Sequence, residues 1–313
     1  MPYELDNRLV IGLASSALFD LAESDQVFRK DGEEVYRQFQ RAKQMDPLSP
    51  GVAFPFIKRL LSLNHLAPDD PPVEVILLSK NDPDTGLRVM NSIKHHGLGM
   101  TRAVFLQGRS PYQYIPALNI SLFLSADSSD VLKAVESGYP AGQVLESSFQ
   151  EDPEDRELRI AFDFDGVLAD DESETIFQEN DISSFREHEQ ALVNTPHTPG
   201  PLGEFVKRVS QIQKLEWDRS QRDPSYTTIL RISIVTARNA PAHERVINTM
   251  RHWNIAVNEA FFLGGIEKRK VLEVLKPHIF FDDQKAHLKP TASLLPSVHI
   301  PFGIKNRRRD LMK

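Results

Sequence analysis

The stretch Ile160–Asp170 reads IAFDFDGVLAD. The apolar run Leu158–Phe162 has the length of a buried strand, and it stops at two acids one residue apart, Asp163 and Asp165. Gly166 and the apolar pair Val167–Leu168 follow. Asp and Gly disfavour strands and favour turns, so the strand is predicted to end where the carboxylates begin. Open α/β sheets place their chemistry in the crevice outside the carboxyl ends of their strands. Asp163 and Asp165 are therefore the first candidate residues.

Working outward, strands are predicted at Leu9–Leu13, Val73–Leu78, Ala103–Leu106 and Ile120–Leu124, with helical spacing over Val27–Met45, Phe54–Leu63 and Pro83–His96. Gly97 gives the last of these a stop signal. Alternation of this kind implies a parallel sheet with helices on its faces. A length of 313 residues suits about two domains. The formal charge of −7 excludes a general nucleic-acid binder, which needs a basic face. The absence of cysteine excludes disulfides and thiolate metal sites. The N-terminus carries acids where a signal peptide needs an apolar core, and no run approaches the roughly 18 apolar residues of a membrane helix. The expectation is a soluble, cytoplasmic protein with no nucleic-acid or membrane partner, and the composition is compatible with a homo-oligomer.

The two halves of the chain match each other. With Ala14 set against Asp163, Glu23–Ser24 meets Glu172–Ser173, Pro50–Gly51 meets Pro199–Gly200, and Phe56, Lys58 and Arg59 meet Phe205, Lys207 and Arg208. After an insertion of eight residues, Arg88, Val89 and Asn91 meet Arg245, Val246 and Asn248, and Phe105, Leu106 and Gly108 meet Phe262, Leu263 and Gly265. This order implies an internal duplication. It also supplies a control. Asp163, Asp165, Thr236, Asp282 and Asp283 face Ala14, Ser16, Ser79, Ser125 and Ala126. A folding role for the acids would be needed in both copies, so their loss from one favours chemistry in the other.

Four pieces of the second half fall in one order, each at or after the end of an apolar strand. They are Asp163-x-Asp165, Thr236 in RISIVTAR, the lysines Lys268 and Lys270 after FFLGG, and Asp282–Asp283 in HIFFDDQ. Singly, each has an ordinary explanation as a turn, a cap or a solvated charge. Together they suit phosphate-ester cleavage. A carboxylate is repelled by a phosphate dianion unless a hard cation such as Mg²⁺ lies between them, and Asp163 with a terminal acid can hold one. Asp163 can then attack phosphorus to give an aspartyl-phosphate, with Asp165 as general acid and base. Thr236 offers a donor and Lys268 a cation to the transition state.

The set DFDGV, VTAR, the lysine and FFDD resembles the four motifs of the haloacid dehalogenase-like phosphatases. The longer series AFDFDGVLADDESE, FREHE, PGPL, VTAR, FLGG and PHIFFDDQ resembles the cytosolic 5′-nucleotidase I family over about Leu158–His287, and more weakly over the first half. That resemblance implies hydrolysis of AMP and related nucleoside monophosphates with Mg²⁺, through Asp163 as nucleophile and Asp165 as acid/base. It implies substrate contacts from Thr236, Ala237, Arg238 and Lys268, with Lys270 the alternative lysine. It implies metal ligands among Asp163, Asp165, Asp282 and Asp283, leaving open which of the last two touches the ion. Phe164 departs from the small residue usual between the two aspartates.

The expected architecture is α/β: two tandem Rossmann-like parallel-sheet domains of the haloacid dehalogenase type, the second with a small cap. A silent copy spans 1–146, a linker 147–157, a catalytic domain 158–303 with its cap within about 172–228, and a basic tail 304–313 containing Arg307–Arg309. Within the cap, Phe185 is a candidate to stack on a base, and His188 and Glu189 to bond its edge. The insertion within Lys214–Thr228, with Trp217 and Tyr226, is a candidate cap or rim element. Two other functions remain: a phosphatase of another small ester such as a sugar phosphate, or a nucleotide-binding regulator.

Overall fold

The computed structural model describes residues 3–179 and 182–307. Most of the expected basic tail, from Arg308 on, lies outside them. The chain divides into two compact units, Met1–Val144 and Leu145–Lys313. The first carries β1 (Leu9–Leu13), β2 (Val73–Ser79), β3 (Arg102–Phe105), β4 (Leu122–Ser125) and β5 (Ala141–Val144). The second carries β6 (Leu158–Phe162), β7 (Leu230–Thr236), β8 (Glu259–Phe262), β9 (Ile279–Asp282) and β10 (Ser297–His299). All pairings within each unit are parallel, in the order β3-β2-β1-β4-β5 in the first and β8-β7-β6-β9-β10 in the second. This is an α/β architecture compatible with a Rossmann-like fold, and its central strands β1, β4, β6 and β9 are buried over nearly their whole length, as strands of parallel sheets are.

Residues matched between the halves sit on matched rungs. Leu13 pairs with Leu77 and Leu124, and Phe162 pairs with Ile234 and Phe281. The retained Pro-Gly steps have a steric reason. Gly51 N–H donates to Leu18 O at 2.8 Å, and Gly200 N–H donates to Leu168 O at 2.7 Å. A Cβ on Gly200 would lie 2.2 Å from Ala169 O, and one on Gly51 would lie 2.9 Å from Leu18 C. Only glycine admits so close a backbone approach.

The second unit's core forms where Phe162 stacks on Phe281 at 5.2 Å and the Phe205 ring meets both edgewise. Phe205 comes from the helix Gly203–Arg222, whose buried face is Phe205, Val206, Val209 and Ile212. That helix belongs to the body of the unit, although it lies inside the stretch expected to form the cap. The Lys214–Thr228 insertion lengthens this helix and leads into β7. Glu216, fully buried, accepts from Tyr226 Oη at 2.6 Å and from Ile229 and Leu230 N–H at 2.9 Å. Leu230 is the first residue of β7 and Thr236 the last, so the insertion lies at the amino end of the strand, away from Thr236. The rim role expected for Trp217 and Tyr226 therefore does not hold. Trp217 is largely exposed, and Tyr226 is spent on Glu216.

Candidate active site

Asp163 follows β6 directly and is still tied to the sheet, its N–H donating to Phe281 O at 2.8 Å. One carboxylate oxygen accepts from Phe164 N–H at 2.7 Å, and the other meets Lys268 Nζ at 2.7 Å. Lys268 opens the helix Lys268–Leu275, and its ammonium also donates to Asp282 Oδ2 at 2.7 Å. Asp282 ends β9; its Oδ1 accepts from Gln284 N–H at 2.7 Å, and His287 Nδ1 stands 3.1 Å from Oδ2. Asp283 is buried, and its Oδ1 has no hydrogen-bond partner among the described residues. Gly166 makes room for it: φ is +73°, and a Cβ there would come 2.9 Å from Asp283 Oδ2.

Two buried carboxylates thus share one ammonium, and a third, Asp283, is buried close enough to feel all three charges. Burial pushes the Asp163 carboxyl up to about 6, against the pull of Lys268 and with a further push from Asp282. Burial, with Asp282 and Asp163 beside it, holds Asp283 well above the usual range. Burial opposes the charge on Asp282 too, but Lys268 and His287 outweigh it and lower that group. For Lys268, burial is overcome by the two carboxylates, so the amine is held as a cation. An orphaned carboxylate oxygen amid surplus negative charge is a setting that fits a hard divalent cation. Asp163, Asp282 and His287 present ligand atoms within 4.8 Å of one another, as do Asp170, Glu172 and His197.

Asp165 faces another way. Arg238 forks onto it, Nε to Oδ2 at 2.7 Å and Nη2 to Oδ1 at 2.6 Å. The remaining guanidinium nitrogen, Nη1, bonds Glu189 Oε2. Glu189, with a fully buried side chain, also accepts from Ser173 Oγ at 2.7 Å and Arg245 Nη1 at 3.0 Å. Burial opposes ionisation of Glu189, yet His197, Arg238 and Ser173 together hold it well below its ordinary value. The rings of Phe164 and Phe185 lie 5.3 and 5.5 Å from the Arg238 guanidinium carbon. Phe164 is fully buried and meets His197 edgewise at 5.3 Å, so the bulk between the two aspartates serves as a platform under Arg238.

The structure separates several of the expected residues. Thr236 is buried at the end of β7, where its Oγ1 accepts from Arg238 N–H at 3.2 Å, while Ala237 is exposed. Arg238, expected against substrate, turns its guanidinium to two carboxylates instead. Glu189, expected at a base edge, is spent on two arginines. His188 Nε2 stands 3.5 Å from Glu172 Oε1, on the same helix as Phe185, whose ring meets Phe177 edgewise at 6.1 Å. Lys270 is exposed, so Lys268 is the lysine beside the acids. Sequence reasoning missed His287, whose signal was a histidine one helical turn past Asp282. It also missed Asp170 and His197, which only the fold brings together.

Several side-chain contacts in the first unit parallel those in the second. Arg88 Nε donates to Asp46 O and Nη1 to Gln40 Oε1, as Arg245 Nε donates to Thr195 O and Nη1 to Glu189 Oε1. Asn91 and Asn248 repeat a bond to Gln44 O and Val193 O. Phe28 meets Tyr36 edgewise at 5.5 Å, as Phe177 meets Phe185. At the carboxyl ends of its strands lies a crevice of about 610 Å³, lined in part by Tyr36, Lys80, Asn81 and Asp127. Lys80 is occupied by Asp127 and Asp130, each at 2.7 Å.

The family model for 5′-nucleotidase matches residues 1–307. Human cytosolic 5′-nucleotidase 1B is 32% identical over 294 residues, which is 92% of this chain and 48% of that protein. The chain thus spans about half the length of that relative. No solved structure matches it. Among the described residues, no helix is long and apolar enough to cross a membrane.

Proposed function

Because the chain belongs to the 5′-nucleotidase family, we propose that it hydrolyses nucleoside 5′-monophosphates, AMP foremost, to nucleoside and inorganic phosphate. The observation that carries the reading is the Asp163–Lys268–Asp282 cluster with the orphaned Asp283 carboxylate beside it. Asp163 is the nucleophile: an oxygen lone pair forms the bond to phosphorus as the bond to the 5′-oxygen breaks, leaving an aspartyl-phosphate. Asp165 gives its proton to the departing 5′-oxygen, then takes one from the water that hydrolyses the acyl phosphate. Lys268 offsets charge on the phosphoryl oxygens, and Thr236 contributes a hydroxyl donor. Asp163, Asp282 and Asp283 would hold Mg²⁺, while the Asp165 carboxylate is committed to Arg238. The ion would supply the positive charge that lets a carboxylate approach a phosphate dianion.

We further read the two units as copies of one ancestral unit, the first catalytically silent because Ala14, Ser16, Ser125 and Ala126 stand where the second has acids. The helices Glu172–Glu179 and Ile182–Ala191 are the cap in this reading, with Phe185 and His188 toward the base. The name of the human relative supports a cytosolic setting. A phosphate-release panel of nucleoside monophosphates and sugar phosphates, with Mg²⁺ or with chelator, tests the proposal. The expected result is Mg²⁺-dependent release with nucleotides preferred. Equal rates on sugar phosphates would overturn the substrate class.

A further inference from the structure

We propose that Glu189 is a positioning residue for Asp165, acting through Arg238, so that the helix Ile182–Ala191 sets the geometry of proton transfer. The inference rests on the reading of Asp165 as acid and base. A guanidinium offers its donors in a rigid planar fork. Here one edge of the fork fixes both oxygens of Asp165, and the remaining nitrogen is pinned by Glu189. The orientation of the Asp165 carboxyl plane is therefore inherited from Glu189, which is itself held by Ser173 and Arg245. Phe164 and Phe185 against the guanidinium remove its remaining freedom. Each carboxylate oxygen has a second lone pair, so the fork leaves Asp165 a place for the transferred proton.

The first unit separates this role from folding. At the positions matched to Asp165, Arg238 and Glu189 it has Ser16, Asn81 and Gln40, three neutral side chains in place of three charges. Arg88 nevertheless keeps two of the bonds that Arg245 makes, the one to Asp46 O matching that to Thr195 O and the one to Gln40 matching that to Glu189. The frame therefore accepts a neutral residue at the Glu189 position, and the charged set is present only where the catalytic acids are. A purely structural Glu189 would be needed in both units.

The test compares AMP with its analogue carrying sulfur in place of the bridging 5′-oxygen. A thiolate leaves without prior protonation, since thiols ionise near 8.5, whereas an alkoxide needs the proton. For Glu189→Gln, kcat/KM for AMP should fall by about 30-fold or more, within the range of general-acid effects. The sulfur analogue should lose less than about 3-fold on the same reasoning. Arg238→Lys keeps the charge but loses the fork, and should give the same selective loss if Glu189→Gln fails to fold. Equal losses on both esters, or no loss on either, would overturn the positioning role while leaving the activity intact. A wild-type protein that releases no phosphate from AMP would instead overturn the activity reading, and this inference with it.

Discussion

Among single residues, the proposed chemistry depends on how one ammonium is shared. Lys268 Nζ lies 2.7 Å from both Asp163 and Asp282, while Lys270, two residues on, is exposed. Lys268→Met should lower kcat by about 10²-fold or more, the scale of losing a preorganised charge donor. Lys270→Met should leave kcat within about 2-fold, as surface changes away from a site do. Equal effects in a steady-state assay would mean the wrong lysine has been assigned. Asp163, Asp165, Thr236 and the Asp282–Asp283 pair were legible in the sequence because each ends a strand at a fixed point in the motif order. The choice between the lysines was not, since both follow the same turn and only the helix phase turns one inward. The Arg238–Glu189 contact was also invisible, because it joins side chains 49 residues apart through the fold.

For the elements, β1 and β6 were read to the residue from their apolar runs, and β2 to within one residue at its carboxyl end. β5 and β10 were missed: AGQV and SVH are too short and too mixed to show a period against their surroundings. The helix Gly203–Arg222 was placed with the cap because its sequence position lies between the first two motifs. Its Phe205 face belongs to the core. Phe205→Ala should cost about 3–5 kcal/mol by leaving a cavity against Phe162 and Phe281, read as a lowered denaturant midpoint. Glu216→Ala should cost about 1–3 kcal/mol by orphaning two backbone donors at the start of β7. Turnover per folded molecule should be unchanged, because that end of the strand is remote from Thr236. A loss of kcat without a loss of stability would contradict this placement.

Over the whole molecule, the acid cluster couples metal, protons and stability. The Asp163 carboxyl is raised to about 6 and Asp283 is also held well above the usual range, so the folded protein holds protons that the unfolded chain releases near the ordinary value. Both groups favour folding at low pH; the Asp163 contribution is lost as pH rises through about 6, and that of Asp283 is lost in the same direction. In the proposed reading a divalent cation would take the place of those protons, so Mg²⁺ should raise the unfolding midpoint more at pH 8 than at pH 5. At a concentration about 100 times its Kd, the stabilisation should be about 2.7 kcal/mol. Equal shifts at the two pH values would place the ion away from Asp163 and Asp283. The most direct test of the account is the rate of phosphate release from AMP under Mg²⁺ by wild type and Asp163→Asn, measured side by side with their unfolding midpoints. The account predicts a loss of at least about 10³-fold in a variant that remains folded, as expected when a nucleophile is removed. A folded Asp163→Asn protein turning over AMP at a rate near wild type would contradict it.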